Sequence, residues 1–138
     1  MWMDISTLEP GHKLFSRRIA ITDDAVAGYL TAVDDDGEAY AREGITPPMA
    51  VAAVVMGEAL QAIELPAGAV HTGQELGFEA PVNVGAEVDC AATVVQNSVR
   101  RGTRFMALEI TADVGDDRAL TGRVSLAIPE GAIPEGGE

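Results

Sequence analysis

The 138-residue chain carries a formal charge of −13, from 22 Asp and Glu against 9 Lys and Arg, and 47% of its residues are hydrophobic. This composition is typical of one folded domain and argues against disorder. The acidic balance excludes nucleic acid and anionic membrane as partners, because binding to phosphate requires a clustered basic surface.

The N-terminal residues Met1-Trp2-Met3-Asp4 show no basic segment followed by an apolar run, so no export signal is visible. The single cysteine, Cys90, cannot form an internal disulfide, and we expect it to be an inert core thiol. Both observations favour a cytoplasmic protein.

The first predicted elements are a strand and a short helix. Lys13 to Ile21 is typical of a strand, and Thr22 is a suitable N-cap for the helix that follows. Asp23 and Asp24 lie in its first turn, where carboxylates favour the helix dipole. One apolar face follows at helical spacing, formed by Val26, Leu30 and Val33.

An acidic loop then leads to a helix with no water-facing stripe. The loop is Asp34 to Tyr40, and the segment Gly44 to Met49 contains two consecutive prolines. The helix predicted from Pro48 to Ile63 has no polar side chain before Glu58. It is shorter than the ~20 apolar residues that span a bilayer, so it must be covered by protein.

Four runs with period-two alternation complete the chain and predict an antiparallel sheet with one buried face. They are Gln74–Val82, Val88–Val94, Met106–Val114 and Leu120–Ile128. The sheet can cover only part of a helix that is apolar on every side, so we expect a dimer with a second copy or a related chain. We predict one α+β domain over residues 1–129 and a flexible tail over 130–138.

This order of elements is typical of the hot-dog fold, a long antiparallel sheet wrapped around a central buried helix. Its residues resemble the MaoC-like hydratase/dehydratase family from Leu8 to Pro129. The resemblance is carried by Pro10-Gly11-His12, Ile21-Thr22-Asp23-Asp24, Gly44-Ile45-Thr46-Pro47-Pro48-Met49, His71-Thr72-Gly73-Gln74-Glu75-Leu76 and Ala80-Pro81-Val82-Asn83-Val84-Gly85.

The resemblance implies a lyase of fatty acid metabolism, an (R)-specific enoyl-thioester hydratase or 3-hydroxyacyl-thioester dehydratase. Its substrate would be an acyl thioester, and coenzyme A or phosphopantetheine would arrive as part of that substrate rather than as a cofactor. The Pro47-Pro48 pair and the segment from His71 most resemble the FAS1-like, or N-terminal MaoC, half. In that subgroup a partner half supplies the catalytic residues.

The family's active site resembles the motif Gly-Asp-x-Asn-Pro-x-His. Asp35 matches its aspartate, but Tyr40 stands at the histidine position. Tyrosine titrates near pH ~10 and histidine near ~6.5, so Tyr40 is a far poorer base at neutral pH. Backbone N–H groups at the start of the central helix would hold the thioester carbonyl, yet Pro48 has none. The resemblance assigns the substrate groove to Gly44, Ile45, Pro48 and Met49.

Several residues have two interpretations. Asp35 is either a catalytic acid/base or one carboxylate of a solvated loop, and we favour the loop. Tyr40 either lines the acyl pocket or anchors the loop. His71 could replace the missing base if it faced Tyr40 across the groove, although a structural histidine is the more common case.

The basic cluster Arg100, Arg101 and Arg104 could meet coenzyme A phosphates or an acidic carrier protein, or it could be a solvated hairpin turn. The spacing of residues indicates no metal site. Three functions stay open: a hydratase/dehydratase, a non-catalytic acyl-binding subunit of a heteromeric dehydratase, and a hot-dog thioesterase.

Overall fold

The computed structural model describes residues 4–63 and 65–130. A turn of 3₁₀ helix at Ile5–Thr7 precedes the main elements, which are β1 Lys13–Ala20, α1 Asp23–Ala32, α2 Glu38–Glu43, α3 Pro48–Ile63, β2 Val70–Phe78, β3 Glu87–Arg100, β4 Thr103–Val114 and β5 Asp117–Pro129. The predicted α+β class is confirmed. Of the predicted tail, residues 131–138 lie outside the described part of the chain.

The strands form one five-stranded antiparallel sheet in the order β1-β3-β4-β5-β2. The turn between β3 and β4 has positive φ at both central residues, Arg101 at 50° and Gly102 at 79°. Positive φ at both positions is the conformation of a type I′ turn, which matches the twist of the flanking strands. The predicted hairpin at this point is therefore confirmed.

The alternating apolar residues of the three central strands form the core, as predicted. The buried side chains include Val88, Cys90, Ala92, Val94, Met106, Leu108, Ile110, Ala112, Leu120, Val124, Leu126 and Ile128. Helix α3 packs across β1, β3 and β4 on this face. Burial of these aliphatic groups is the main favourable contribution to folding.

The helix predicted over Pro48–Ile63 is confirmed, and its two sides differ in exposure. One row at four-residue spacing, Val51, Val55, Ala59 and Ile63, is buried against the sheet. The opposite row, Met49, Ala53, Gly57 and Gln61, is exposed, and we call it the open face. No helix in residues 4–63 and 65–130 is long and apolar enough to cross a bilayer.

Three local expectations were wrong. The run predicted as Gln74–Val82 is strand β2 only from Val70 to Phe78, because Pro81 has no N–H with which to continue the ladder. Val33 is 50% exposed, since α1 ends at Ala32 and leaves it outside the apolar face. The second half of the acidic loop belongs to helix α2, which is flanked on both sides by a glycine with left-handed φ.

Gly122 occupies a close contact between β5 and its neighbours. A Cβ atom there would lie 2.8 Å from Leu76 Cδ2 and 2.9 Å from Ile110 Cγ1. We expect Gly122→Ala to lower the free energy of unfolding by about 1–3 kcal/mol, because the buried Ile110 has no room to move.

The matched control is Gly28→Ala in α1, where an added Cβ meets nothing within 4 Å. Alanine has a higher helix propensity than glycine, so the free energy of unfolding of this variant should rise by about 0.5–1 kcal/mol. Urea unfolding of both variants checks the pair. Equal stability of Gly122→Ala and the unchanged protein would contradict the packing argument.

Candidate functional site

Two bonds to the segment after β2 fix the backbone before α3. The Thr46 N–H donates to the Val82 carbonyl at 2.7 Å, and the Val84 N–H donates to the Gly44 carbonyl at 3.1 Å. Gly44 has a φ of 68°, which glycine adopts without strain. The chain therefore enters the helix in one defined position.

The two prolines at this entry leave few backbone donors. Pro47 and Pro48 have no N–H, so Met49 is the first residue of the helix that carries one. The positive end of the α3 dipole lies here, and Met49 is 39% exposed. A ligand carbonyl placed beside Met49 would meet both the N–H and the dipole.

Two apolar cavities lie at the entry to α3. The first, the small cavity, has a volume of about 40 Å³ and is lined by Ile45, Thr46, Pro48, Val51, Phe78, Ala80, Pro81, Val82, Ala119 and Leu120. The second, the α1–α3 cavity, has a volume of about 240 Å³ and is lined by Ile21, Ala25, Val26, Tyr29, Thr46, Ala50, Ala53 and Val54. Thr46 lines both.

The Thr46 hydroxyl is buried without a hydrogen bond. The residue is 3% exposed, and its Oγ1 has no partner in the described part of the chain. Sequence reasoning treated Thr46 only as part of a motif. The available signal was a hydroxyl residue between an isoleucine and two prolines that cannot donate to it.

Asp35 and Tyr40 lie in the segment that leads to this entry, but neither lines a cavity described above. Asp35 is exposed, and its Oδ1 accepts the Gly37 N–H at 2.8 Å. The half-buried Tyr40 accepts the Ile45 N–H on its carbonyl at 3.2 Å. The Asp35 carboxylate thus stabilises a turn, and the Tyr40 backbone anchors the entry.

His71 lies at the opposite end of the sheet from the small cavity. It is exposed near the start of β2, whereas Phe78 at the end of β2 lines that cavity. Seven residues of extended strand separate them, roughly 24 Å. Within one chain His71 is therefore not brought to Tyr40, which was the condition for it to replace the missing base.

The basic cluster is also distant from the α3 entry. Ala112 pairs with Leu120, which lines the small cavity, and Arg104 lies eight residues before Ala112 on β4. That separation is roughly 27 Å. The sequence-predicted site residues thus form two groups, one at each end of the sheet.

Arg104 is occupied by contacts within the fold. Its side chain donates to Asn97 Oδ1 at 2.8 Å and to the Glu130 carboxylate at 3.2 and 3.3 Å. The Asn97 amide donates in turn to the carbonyls of Ile5 and Leu8. This network ties the N-terminal segment to the sheet.

The other two arginines lie on the open surface of the hairpin. The Arg100 guanidinium carbon is 5.6 Å from the centre of the Phe105 ring, which is cation–π distance. Arg100, Arg101, Thr103 and Phe105 line an open groove of about 490 Å³. A role for Arg100 and Arg101 in anion binding stays a prediction.

The cysteine is a core residue. Burial, followed by the negative charges of Asp89, Glu58 and Asp113, raises the pKa of Cys90 to about 11. At neutral pH the side chain is the neutral thiol, which is a weak nucleophile. Among residues 4–63 and 65–130 no three His, Cys, Asp or Glu side chains are grouped to hold a metal ion.

Solved structures show which fold this is. The (R)-hydratase from A. caviae involved in PHA biosynthesis is 25% identical, with 89% of this chain and 98% of that one covered and a TM-score of 0.68. The MaoC-like dehydratase from Rhodospirillum rubrum is 17% identical, with coverage of 93% and 97% and a TM-score of 0.71. The chain has the MaoC-like hot-dog fold.

A third hot-dog structure is a complex. The C-terminally truncated HadBC (3R-hydroxyacyl-ACP dehydratase) complex from Mycobacterium tuberculosis is 17% identical, with coverage of 92% and 99% and a TM-score of 0.64. No family model and no curated protein matches the chain. The resemblance to the FAS1-like half of the hot-dog proteins stays a prediction.

The two roles of the arginines can be separated by mutation. We expect Arg104→Met to lower the free energy of unfolding by about 1–3 kcal/mol, because Asn97 Oδ1 loses its partner inside the protein. Arg101→Asn removes an exposed charge and keeps a residue that tolerates positive φ, so its effect should stay within about 0.5 kcal/mol.

Urea unfolding measures both variants. The assignment of Arg104 to the fold is contradicted if Arg104→Met unfolds at the same urea concentration as the unchanged protein. A large loss in Arg101→Asn would show instead that the turn itself needs an arginine.

Proposed function

We propose that this protein binds an acyl thioester of coenzyme A or an acyl carrier protein at the α3 entry. In this proposal it is a hot-dog subunit of the hydratase/dehydratase type, and a partner chain supplies the catalytic base. The observation that carries the proposal is the pair of apolar cavities at the start of α3, which have Thr46 as a common lining residue.

The cavities suit an acyl thioester because they combine an apolar lining with few polar groups. Ligand sites of this kind bury a hydrocarbon part and use a small number of donors to fix orientation. At the α3 entry those donors are the Met49 N–H and the helix dipole, which both favour a carbonyl oxygen.

The separation of the candidate bases supports binding more than catalysis by one chain. Hydration across a double bond needs a group that removes a proton from water and one that delivers a proton to the α-carbon. Asp35 accepts a backbone N–H in a turn, Tyr40 replaces the family's histidine, and His71 is at the other end of the sheet. A partner's histidine would complete the pair.

The open face of α3 is where we place that partner. Met49, Ala53, Gly57 and Gln61 form an exposed row on a helix whose opposite side is buried against the sheet. The two small residues allow close approach of a second backbone. A second hot-dog chain, a copy of this one or a related one, is the occupant that fits this proposal.

We expect Gly57→Arg to prevent dimer formation, because it places a long charged side chain at the centre of the open face. Gly28→Arg is a matched control, since both glycines are helical, exposed and free of neighbours within 4 Å of an added Cβ. Light scattering after gel filtration measures the mass. A dimeric Gly57→Arg variant would contradict this interface, and a monomeric unchanged protein would contradict pairing with itself.

For the activity, we expect purified protein to bind short and medium 2-enoyl-CoA thioesters but not to hydrate them alone. Adding a second hot-dog chain with an intact Asp and His pair should produce hydration. Hydration is measured as the loss of absorbance of the conjugated enoyl thioester. Binding is measured separately by calorimetry.

A self-contained hydratase is the second candidate, because Asp35 and Tyr40 both lie in the segment before α3. Turnover by this chain alone that is lost in Asp35→Asn and kept in Arg101→Asn would establish it and overturn the partner requirement. Release of free coenzyme A from a saturated thioester would identify a thioesterase instead.

A further inference from the structure

Two adjacent arginines at the turn between β3 and β4 lack an ion-pair partner in the described part of the chain. Arg100 and Arg101 are both exposed, and within residues 4–63 and 65–130 neither forms a salt bridge. Four other arginines each pair with a carboxylate, namely Arg17, Arg18, Arg104 and Arg118. Acidic residues outnumber basic ones by 22 to 9, so a shortage of carboxylates does not explain the difference.

The backbone of the turn does not explain an arginine at position 101 either. Arg101 has a φ of 50° in the left-handed region, and Gly102 follows at 79°. Type I′ turns with two positive φ values favour Asn-Gly, because asparagine tolerates the left-handed region better than longer side chains. A bulky residue held in this region is a reason to look for a function in its side chain.

The second guanidinium is held in place by an aromatic ring. The guanidinium carbon of Arg100 lies 5.6 Å from the centre of the Phe105 ring, which is cation–π distance. Arg100 is also paired with Thr103 across the hairpin. A side chain that is ordered before a ligand arrives loses less conformational entropy on binding.

These side chains surround a concave surface. Arg100, Arg101, Thr103 and Phe105 line a groove of about 490 Å³, which we call the hairpin groove. This volume lies within the range of small-molecule sites. The four lining residues provide two positive charges, a hydroxyl and a ring, and none of the four is a carboxylate.

The acidic residue that is bonded to this turn is engaged elsewhere. The Glu130 backbone N–H donates to the Gly102 carbonyl at 2.8 Å. Its carboxylate, however, accepts from the buried Arg104 at 3.2 and 3.3 Å. The negative charge of Glu130 is therefore paired with Arg104 rather than with the arginines of the hairpin groove.

We propose that the hairpin groove binds a nucleoside phosphate, with Arg100 and Arg101 on the phosphate oxygens and the base against Phe105. The planar fork of a guanidinium matches the oxygens of a phosphate, and aromatic and guanidinium planes provide stacking surfaces for a base. A concave site lined by four residues suits a small molecule better than the face of another protein. The inference does not rest on the proposed function, because this groove and the α3 entry lie at opposite ends of the sheet.

Three probes separate the parts of the ligand. ADP carries a base and two phosphates, pyrophosphate carries only the phosphates, and adenosine carries only the base. We expect ADP to bind about fivefold more tightly than pyrophosphate, because stacking adds to the charged contacts, and adenosine to show no measurable binding. Calorimetry at low ionic strength gives the dissociation constants, since salt screens exposed charges.

Arg101→Asn removes one guanidinium and suits the turn. It should weaken ADP binding about tenfold, which corresponds to the loss of one charge-assisted hydrogen bond. Arg18→Gln is the matched control, because it removes an equal charge from an exposed arginine on β1, opposite Asp89 and far along β3 from the groove. An equal loss in both variants would show an effect of net charge alone and would overturn the site.

The contribution of the ring is measured with Phe105→Leu, which keeps an apolar side chain. Its ADP affinity should fall to about that of pyrophosphate, and thermal unfolding checks that the fold is intact. A variant that still prefers ADP over pyrophosphate would overturn the contact between the base and Phe105.

Amide signals of the unchanged protein locate the site without any substitution. In ¹⁵N-labelled protein, ADP should shift the signals of Arg101, Gly102 and Phe105 and leave those of Met49 and Gly57 in place. Shifts confined to Met49 and its neighbours would place the nucleotide at the α3 entry and would overturn the inference.

Free nucleotides and the nucleotide end of coenzyme A share this chemistry, so ADP and coenzyme A are titrated in parallel. The tighter ligand whose affinity falls in Arg101→Asn identifies the source. If the binding of neither depends on Arg101, the inference is overturned. An enoyl thioester of pantetheine has no phosphate and tests the proposed function alone, and its binding should be equal in Arg101→Asn and the unchanged protein. Failure of that thioester to bind would overturn the proposed function and leave the hairpin groove.

Discussion

Helix α3 can exist in water only if protein covers it, and the rest of the structure depends on how that cover is made. Its first two turns carry no polar side chain, so this part of the helix has no stripe suited to solvent. The sheet covers the row from Val51 to Ile63, with β1, β3 and β4 in contact with the helix. A single sheet covers only one side of a helix. The open face is the direct consequence, and it is the reason a second chain belongs to the proposal.

The same helix also creates the site. Pro48, the first residue of α3, and Pro47 before it have no backbone N–H, while the bond from the Thr46 N–H to the Val82 carbonyl holds the entry against the segment after β2. Thr46 lines two cavities, and residues of α1 and α3 line the larger one. The proposed function assigns hydrogen bonding of a ligand to this entry. Of the candidate bases, His71 lies at the other end of the sheet.

The sequence motifs assigned the candidate residues to one site, but the fold places them at two opposite ends of the sheet. Asp35, Tyr40 and Met49 belong to the α3 end, while His71 and Arg101 belong to the other. Antiparallel strands of this length carry residues far from each other even when their motifs are typical of one family. Arg104 illustrates a second effect. The sequence predicted that its charge could bind a ligand, but in the fold its guanidinium bonds to Asn97 and Glu130.

Periodicity by itself determined most of the elements, the buried faces of β3, β4 and β5, and the bounds of α3, because hydrophobic spacing and turn residues are local properties. The end of β2 depends on strand pairing, and the helix inside the acidic loop depends on the φ values of its flanking glycines. The spacing of hydrophobic residues indicates neither. Only the tertiary structure decided which candidates share a site, since this depends on strand length and register. It also showed that the buried Thr46 hydroxyl has no hydrogen-bond partner among residues 4–63 and 65–130, and the absence of a contact has no signature in sequence.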